Sequence, residues 1–188
     1  RGQINLGRKG HPRLGFPPHL GNPTKIDEVS PYICDIMEFC RHFSTSRERI
    51  SIMIGFVNFR LKMINHGIIH GFQWIDGSFT ENVEIREGRA PHDIDVVTFF
   101  SGVSNVQAAV IQSNFPEFIR PGLSKQNYLV DHYPVPYDAN PELTVEYTRY
   151  WCQLFSHNRQ GVWKGILRIP LYQTSQNDSQ ALSYLNSL

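Results

Sequence analysis

Apolar residues recur at helical spacing in several stretches of the chain, and the clearest of them predicts a long helix that ends at Gly67. A capping box opens this helix, because Glu48 stands three residues after Thr45. The residues predicted to form its inner face are Ile50, Ile54, Val57, Leu61 and Ile64. The glycine then supplies a typical C-terminal stop.

Four further segments show shorter helical patterns. Helices are expected over residues 32–43, 103–114 and 142–157 and in a short segment at the C-terminus. The third of these is amphipathic, so it should lie on the surface with one face against the core. Its residues predicted to face inward are Leu143, Tyr147, Tyr150, Trp151 and Leu154.

Four runs of apolar and β-branched residues predict strands, at 71–76, 92–100, 128–135 and 162–171. The run at 92–100 is almost continuously apolar, which is typical of an interior strand. Glycine, proline and polar residues separate the runs. The resulting order is helix, strand, loop, strand, helix and then another strand.

Local composition divides the chain into three parts. Residues 1–31 are rich in Gly and Pro and predict an irregular arm, residues 32–172 a folded domain, and residues 173–188 a polar linker with a short helix. The arm is basic, because five cations precede the first acidic residue, Asp27. These cations are Arg1, Arg8, Lys9, Arg13 and Lys25. A solvated tail is the favoured interpretation, and contact with nucleic-acid phosphates is the alternative.

The overall composition sets further bounds. The 188-residue chain is 40% hydrophobic with a formal net charge of +1, so it has a globular core and no general attraction to nucleic acid or membrane. No segment is apolar enough to cross a membrane. Three cysteines without paired spacing favour reduced, buried thiols in a cytoplasmic protein. A zinc site built from Cys34, Cys40 and His42 is the disfavoured alternative.

The candidate chemistry lies between residues 71 and 100. Asp93 and Asp95 alternate on a predicted strand, so their side chains share one face about 7 Å apart along the strand. Such a pair suits hard divalent cations, which prefer oxygen ligands. The Gly77–Ser78 pair ends an earlier strand, where free backbone N–H groups can bind a phosphate. Together they predict a site for a metal ion and a nucleotide.

These motifs resemble the nucleotidyltransferase superfamily, which includes DNA polymerase beta, kanamycin nucleotidyltransferase and the minimal nucleotidyltransferases of toxin–antitoxin pairs. The family pattern is a hydrophobic residue before a Gly-Ser turn, a variable loop, and Asp-hydrophobic-Asp, seen here as Ile75-Asp76-Gly77-Ser78 and Asp93-Ile94-Asp95. With Lys164-Gly165-Ile166, most of the chain is similar to an uncharacterised bacterial family of this fold. The resemblance implies an α+β fold with a small mixed β-sheet flanked by helices.

The resemblance also implies roles for individual residues. Gly77 and Ser78 would hold the phosphates of an NTP, and Asp93 and Asp95 would ligate Mg²⁺ or Mn²⁺. The family's third carboxylate lies on a later strand, completes the metal site and activates the attacking hydroxyl, and Asp131 is its candidate here. The alternative makes Asp131 an ordinary strand-end carboxylate. Three further candidates are weaker, namely Asp138 as a replacement for Asp131, and the neighbouring histidines His92 and His132 as assisting groups.

The remaining charged residues near these motifs have simpler interpretations. The three glutamates of the loop are expected to solvate it, and three cations that could reach a triphosphate are expected on the surface. The glutamates are Glu81, Glu84 and Glu87, and the cations are Lys125, Arg149 and Lys164.

The leading functional hypothesis is a nucleotidyltransferase that moves a nucleoside monophosphate from an NTP to a hydroxyl of a protein, an RNA end or a small molecule. By analogy it would act beside a toxin or in phage defence. The second hypothesis is a catalytically inactive protein of the same fold that binds a protein partner. A third, nucleic-acid binding through the basic arm, is not favoured.

Overall fold

The structure is a computed structural model that describes residues 15–171 and 177–188. Within these residues the chain forms seven α-helices and five β-strands. The helices are α1 Ile36–Phe43, α2 Arg47–Asn65, α3 Val83–Glu87, α4 Asn105–Asn114, α5 Pro121–Tyr128, α6 Pro141–Phe155 and α7 Asn177–Asn186. The strands are β1 Tyr32–Ile33, β2 His70–Asp76, β3 Ile94–Ser101, β4 Val130–Pro136 and β5 Leu167–Pro170.

The strands form one mixed sheet in the order β1-β5-β2-β3-β4. Strand β2 is antiparallel to both β5 and β3, whereas β4 is parallel to β3 and β1 is parallel to β5. Strand β3 is therefore interior, as its apolar run predicts. The predicted α+β class, with a small mixed sheet flanked by helices, is confirmed.

Side-chain alternation gives the sheet two different faces. Ile94 and Val96 of β3 face the main hydrophobic core, to which α1, α2 and α7 contribute. Val97 belongs to a smaller apolar cluster on the other face, which includes Trp151 of α6. Asp95 alternates with Val96, so its side chain projects to the same face as α6.

The fully buried face of α2 differs from the predicted one. It consists of Arg49, Ile52, Met53, Phe56, Val57, Phe59, Arg60 and Met63. Of the predicted stripe only Val57 belongs to it, while Ile50, Ile54 and Leu61 pack at its edge and Ile64 is half-buried. The prediction failed because the two arginines are paired inside the protein. A pattern based on apolar residues does not identify buried arginines.

The predicted inner stripe of α6 is wrong except at Trp151, which is buried. The four residues that stay on the surface, each 45–51% exposed, are Leu143, Tyr147, Tyr150 and Leu154. Only the end of the helix is buried, through Trp151 and Phe155, and the indole of Trp151 packs on Tyr133 with the ring centroids 4.7 Å apart. Helix α6 therefore presents a continuous apolar stripe to solvent.

Element boundaries shift where local capping and pairing differ from the sequence pattern. Helix α2 begins after Ser46 rather than Thr45. Helix α1 begins after Asp35, which forms a reciprocal capping box with Glu38. Tyr32, predicted to be helical, instead pairs with β5.

Two short helices and one strand end also differ from the prediction. Helices α3 and α5 were not predicted, because α3 has only five residues and Pro121 and Gly122 at the start of α5 resemble a turn. Strand β5 is shorter than predicted, because residues 162–166 form a connection that packs against other loops.

Part of the predicted arm and the C-terminal helix complete the folded body. Phe16 is buried in the main core, and its carbonyl accepts a hydrogen bond from Gly165 N at 2.7 Å. Helix α7 packs on α1 and α2 and buries Ala181. Residues 1–14 of the arm and 172–176 of the linker lie outside the described residues.

The cysteines are free thiols. Cys34 and Cys40 are buried, as predicted, whereas Cys152 is exposed on α6. No helix in the described part of the chain combines the length and apolarity required to span a bilayer.

A chain of buried polar groups crosses the core side of the sheet. Arg60 Nε donates to Asp178 Oδ1 at 2.5 Å, and Arg60 Nη1 donates to Gln73 Oε1 at 2.7 Å. Gln73 Nε2 donates to Thr98 Oγ1 at 3.0 Å, and Thr98 Oγ1 lies 2.7 Å from His132 Nε2. The chain joins α7, α2 and three strands, and each link satisfies a buried polar group.

His132 ends this chain as a neutral core residue. Its Nδ1 lies 2.9 Å from the carbonyl oxygen of Phe118, so Nδ1 donates and Nε2 accepts from Thr98. Complete burial lowers the pKa of His132 to about 3. A side chain of this kind, on the core face of β4, cannot assist chemistry on the opposite face.

Replacing Asp178 with Ala should lower the free energy of unfolding by about 3–5 kcal/mol, because the buried Arg60 guanidinium loses its counter-charge. Urea unfolding measures the loss. The matched control is Glu146→Ala, which breaks the exposed pair with Arg149 and should cost less than about 1 kcal/mol. Equal losses in the two variants would contradict the role given to the buried pair.

Candidate functional site

Three neighbouring strands bring acidic residues together at one end of the sheet. Asp76 on β2 lies opposite Asp95 on β3, and Asp95 lies opposite Asp131 on β4. Residues opposite each other on paired strands project to the same face. Asp93 lies just before β3, close enough to Asp95 for its charge to act on that carboxylate. The structure therefore brings the three predicted carboxylates together and adds a fourth.

A lysine links two of these carboxylates. Lys125 Nζ lies 2.5 Å from Asp93 Oδ2 and 3.8 Å from Asp131 Oδ2. Lys125 is in the last turn of α5, and Leu129 joins that helix directly to β4 with a φ of 58°. This tight connection places the lysine beside the strand ends. Its side chain is 52% exposed, so the predicted surface position is confirmed, although its ammonium pairs with carboxylates.

The Gly77–Ser78 turn lies against Asp95. Gly77 has a φ of 81°, which favours glycine, and a Cβ at this position would collide with Asp95 Oδ2. A 3₁₀ turn follows over Ser78–Thr80, and the fully buried ring of Phe79 anchors it. The two residues predicted to hold phosphate therefore lie in the same site as the carboxylates.

These residues line a cavity of about 760 Å³, a volume typical of small-molecule sites. His92, Arg86 and Arg89 from the β2–β3 connection form part of its wall. The end of α6 and the segment after it form another part. These lining residues are Leu154, Phe155, His157, Asn158, Arg159, Gln160 and Lys164.

A buried lysine, Lys164, holds the base of the site. Its Nζ lies 3.0 Å from Asp76 Oδ2 and 3.1 Å from Glu81 Oε1, and it donates to the carbonyl of Gly77 at 3.1 Å. One ammonium thus ties β2 and the Gly-Ser turn to the segment before β5. The prediction of a surface position is wrong, because Lys164 is only 4% exposed. Its position in the Lys164-Gly165-Ile166 motif is the sequence feature that could have indicated a place in the site.

The acidic loop between β2 and β3 is folded onto cations rather than solvated. Glu81 is buried and pairs with Arg86 as well as with Lys164. Glu84 accepts from the buried Arg49 Nε at 2.6 Å. The solvation prediction is therefore wrong for these two glutamates.

Burial and mutual repulsion make two of the carboxylates difficult to ionise. Burial, followed by the charges of Asp93 and Asp131, raises the pKa of Asp95 to about 6. Burial also raises the pKa of Asp76 to about 7, although Lys164 opposes the shift. Asp76 Oδ1 is buried and has no hydrogen-bond partner among the described residues. An added cation at this end of the sheet would relieve both costs.

Within residues 15–171 and 177–188, no three His, Cys, Asp or Glu side chains already form a group that could hold a metal ion. The donors nevertheless fit Mg²⁺ or Mn²⁺, because all are carboxylate oxygens and because a cation, the Lys125 ammonium, already pairs with two of them. Asp93, Asp95 and Asp131 are the residues that would hold such an ion.

Of the other candidates, Asp138 and Arg149 lie apart from the cavity, whereas His92 lines it. Asp138 accepts a backbone hydrogen bond from Gly102 at 2.8 Å and does not line it. Arg149 is on the exposed face of α6, where it pairs with Glu146. His92 is exposed on the cavity wall.

A protein family of unknown function, DUF6932, matches residues 15–170, and the chain belongs to this family. The matched range includes all five strands and every residue of the cavity, and it ends before α7. No curated protein and no solved structure matches the chain.

Gly77→Ala should lower the free energy of unfolding by about 2–4 kcal/mol, because the new methyl group adds a collision with Asp95 to the strain of a positive φ. Gly88→Ala is the matched control, since Gly88 also has a positive φ but faces open space, and it should cost about 1 kcal/mol. Denaturant unfolding compares them. The close packing of Gly77 on Asp95 would be refuted by equal costs.

Asp95→Asn should stabilise the metal-free protein at about pH 8 by about 1–3 kcal/mol and change stability little at about pH 4. A carboxyl with a raised pKa in the folded state is protonated there at low pH. As the pH rises from the unfolded pKa through about 6, the folded state must bear the unfavourable charge, so stability falls.

Unfolding curves in the presence of a chelator measure this difference. The exposed Asp27, replaced by Asn, serves as the control and should show no such pH dependence. A stabilisation by Asp95→Asn that is equal at both pH values would exclude the electrostatic explanation.

Proposed function

We propose that the chain is a metal-dependent nucleotidyltransferase that moves a nucleoside monophosphate from an NTP to an acceptor hydroxyl. The observation that carries this proposal is the register of β4, which sets Asp131 beside Asp95 and within reach of the lysine that pairs with Asp93. The sequence predicts Asp131 from its position on a strand alone. An Asp131 side chain that pointed away from the other two carboxylates would favour the non-catalytic hypothesis instead.

The roles of the site residues follow from the chemistry of their atoms. Asp93, Asp95 and Asp131 would hold Mg²⁺ or Mn²⁺, and the N–H groups of Gly77 and Ser78 would bind phosphate oxygens. When bound, a divalent cation neutralises phosphate charge and polarises the phosphoryl oxygens. The protein itself then contributes positioning and electrostatics rather than a covalent intermediate.

The proposed step is a single displacement. The oxygen of the acceptor hydroxyl forms a bond to the α-phosphorus, the bond from that phosphorus to the bridging oxygen of the β-phosphate breaks, and pyrophosphate leaves. The hydroxyl proton passes to Asp131, which is on β4, two strands from the strand that leads into the Gly-Ser turn.

The proposal admits three classes of acceptor. A protein side chain, an RNA end and a small molecule all carry suitable hydroxyl groups. The setting beside a toxin or in phage defence, and the cytoplasmic location, are supported by the sequence resemblance and composition alone.

A second candidate is a catalytically inactive protein of the same fold that binds a protein partner. The exposed stripe of α6 favours it, because Leu143, Tyr147, Tyr150 and Leu154 follow heptad-like spacing and stay half exposed. The third hypothesis, nucleic-acid binding by the arm, has no support in the structure, since most of the basic residues lie among residues 1–14, which are outside the described part.

Transfer is tested with NTPs labelled at either the α- or the γ-phosphate, with Mg²⁺ or Mn²⁺, and with the protein alone or with a small-RNA fraction as acceptor. The α label should enter the acceptor and the γ label should appear in pyrophosphate. Asp93→Asn/Asp95→Asn and Asp131→Asn should each lower transfer by about 100-fold or more, because removing a charge-stabilising group has effects of this order. The control is Asp138→Asn, a carboxylate outside the cavity.

Thermal denaturation separates binding from chemistry. An NTP at about 100 times its dissociation constant, with Mg²⁺, should raise Tm by about 5–10 °C in the wild type and not in the double variant. A Tm increase without transfer to any acceptor would favour the partner-binding candidate. Neither transfer nor a Tm increase in a folded protein would refute the nucleotide site.

A further inference from the structure

Lys125 occupies an unusual position for a half-exposed lysine. Its ammonium pairs closely with Asp93 and approaches Asp131, which are two of the three carboxylates assigned to the metal. Asp95 lies opposite Asp131 and lines the same cavity as Asp93, so three carboxylates meet in this space and positive charge is favoured there. The lysine supplies that charge in the metal-free protein.

We propose that Lys125 is a tethered cation that competes with the divalent metal ion for Asp93 and Asp131, and so makes metal binding depend on the nucleotide. This inference rests on the proposed function. It adds a regulatory role for a residue that neither holds metal nor reacts.

The two lysines of the cavity differ in their ability to move. Lys164 is 4% exposed and has three oxygen partners on two segments, so it is a fixed part of the fold. The side chain of Lys125 is 52% exposed and lies on the last turn of α5, so its flexible stem can swing into solvent without disturbing the core. Only Lys125 can leave the carboxylates at low cost.

Competition lowers the apparent affinity for metal. If the ammonium pairs with the carboxylates about 90% of the time, the apparent dissociation constant for the metal rises about tenfold, because only the remaining fraction of molecules is competent to bind. The phosphates of a nucleotide offer Lys125 another anionic partner in the same cavity. A nucleotide that holds the ammonium away from Asp93 and Asp131 therefore increases metal affinity, and by linkage the metal increases nucleotide affinity.

The test measures Mn²⁺ binding from the spectrum of free Mn²⁺ in electron paramagnetic resonance, with the full chain and no turnover. Lys125→Met keeps most of the stem length and removes the ammonium. It should bind Mn²⁺ about 10-fold more tightly than the wild type. A nucleotide that cannot be cleaved should enhance Mn²⁺ binding in the wild type and enhance it much less in Lys125→Met.

The matched control is Arg159→Met. This variant removes the same charge from the wall of the same cavity, at an exposed residue that forms no ion pair with Asp93 or Asp131. General electrostatic attraction for Mn²⁺ should change its affinity by less than about 3-fold, because exposed charges are screened.

The outcomes separate this inference from the proposed function. Tighter Mn²⁺ binding by Lys125→Met than by Arg159→Met supports the competition. Equal affinities in wild type and Lys125→Met, weaker binding in Lys125→Met, or an equal gain in Arg159→Met would overturn it and leave the metal site intact. Failure of every folded variant to bind Mn²⁺, with or without nucleotide, would overturn both.

Discussion

Repulsion between carboxylates is the constraint on which the rest of the site depends. The pairing of β2, β3 and β4 aligns Asp76, Asp95 and Asp131 at one end of the sheet, and Asp93 adds a further negative charge. Such a cluster would be unstable without positive charge near it. Lys164 supplies that charge as a buried, fixed ammonium at the base of the cavity, and Lys125 supplies it from the exposed side.

The rest of the fold isolates this charged end from the core. On the opposite face of the same strands, the buried polar groups are neutral or matched, from the Arg60–Asp178 pair to the neutral imidazole of His132. The sheet therefore separates a fully satisfied network from a site that retains unpaired acceptor capacity, seen at Asp76 Oδ1. A cationic or metal-bound ligand in the cavity can pair with such an unpaired acceptor oxygen.

The parts of the site that could be predicted from sequence are those set by local geometry. Strand alternation predicts that Asp93 and Asp95 share one face, and both line the cavity although β3 begins only at Ile94. The Gly77–Ser78 turn follows from its position after a strand. Local geometry does not predict the position of Asp131 beside Asp95. That position depends on parallel pairing between strands that are separated by two helices.

Buried cations and helix orientation could not be read from the same patterns. The sequence shows that Lys164, Arg49 and Arg60 are charged but does not show that they are buried. Their burial depends on partners far along the chain, such as Asp76 and Asp178. The apolar stripe of α6 shows the opposite error, because its spacing predicts an inner face and it is exposed. Its apolar spacing is real, but only the end of the helix reaches the smaller apolar cluster. Periodicity reports that a face is apolar and does not report what covers it.

The most direct measurement of the central claim is the anomalous scattering of Mn²⁺ in crystals of the protein grown with a nucleotide that cannot be cleaved. The account predicts anomalous density in contact with carboxylate oxygens of Asp93, Asp95 and Asp131, with nucleotide phosphates against the Gly77–Ser78 turn. Anomalous density elsewhere, or a bound nucleotide with no metal at these three carboxylates, would contradict it.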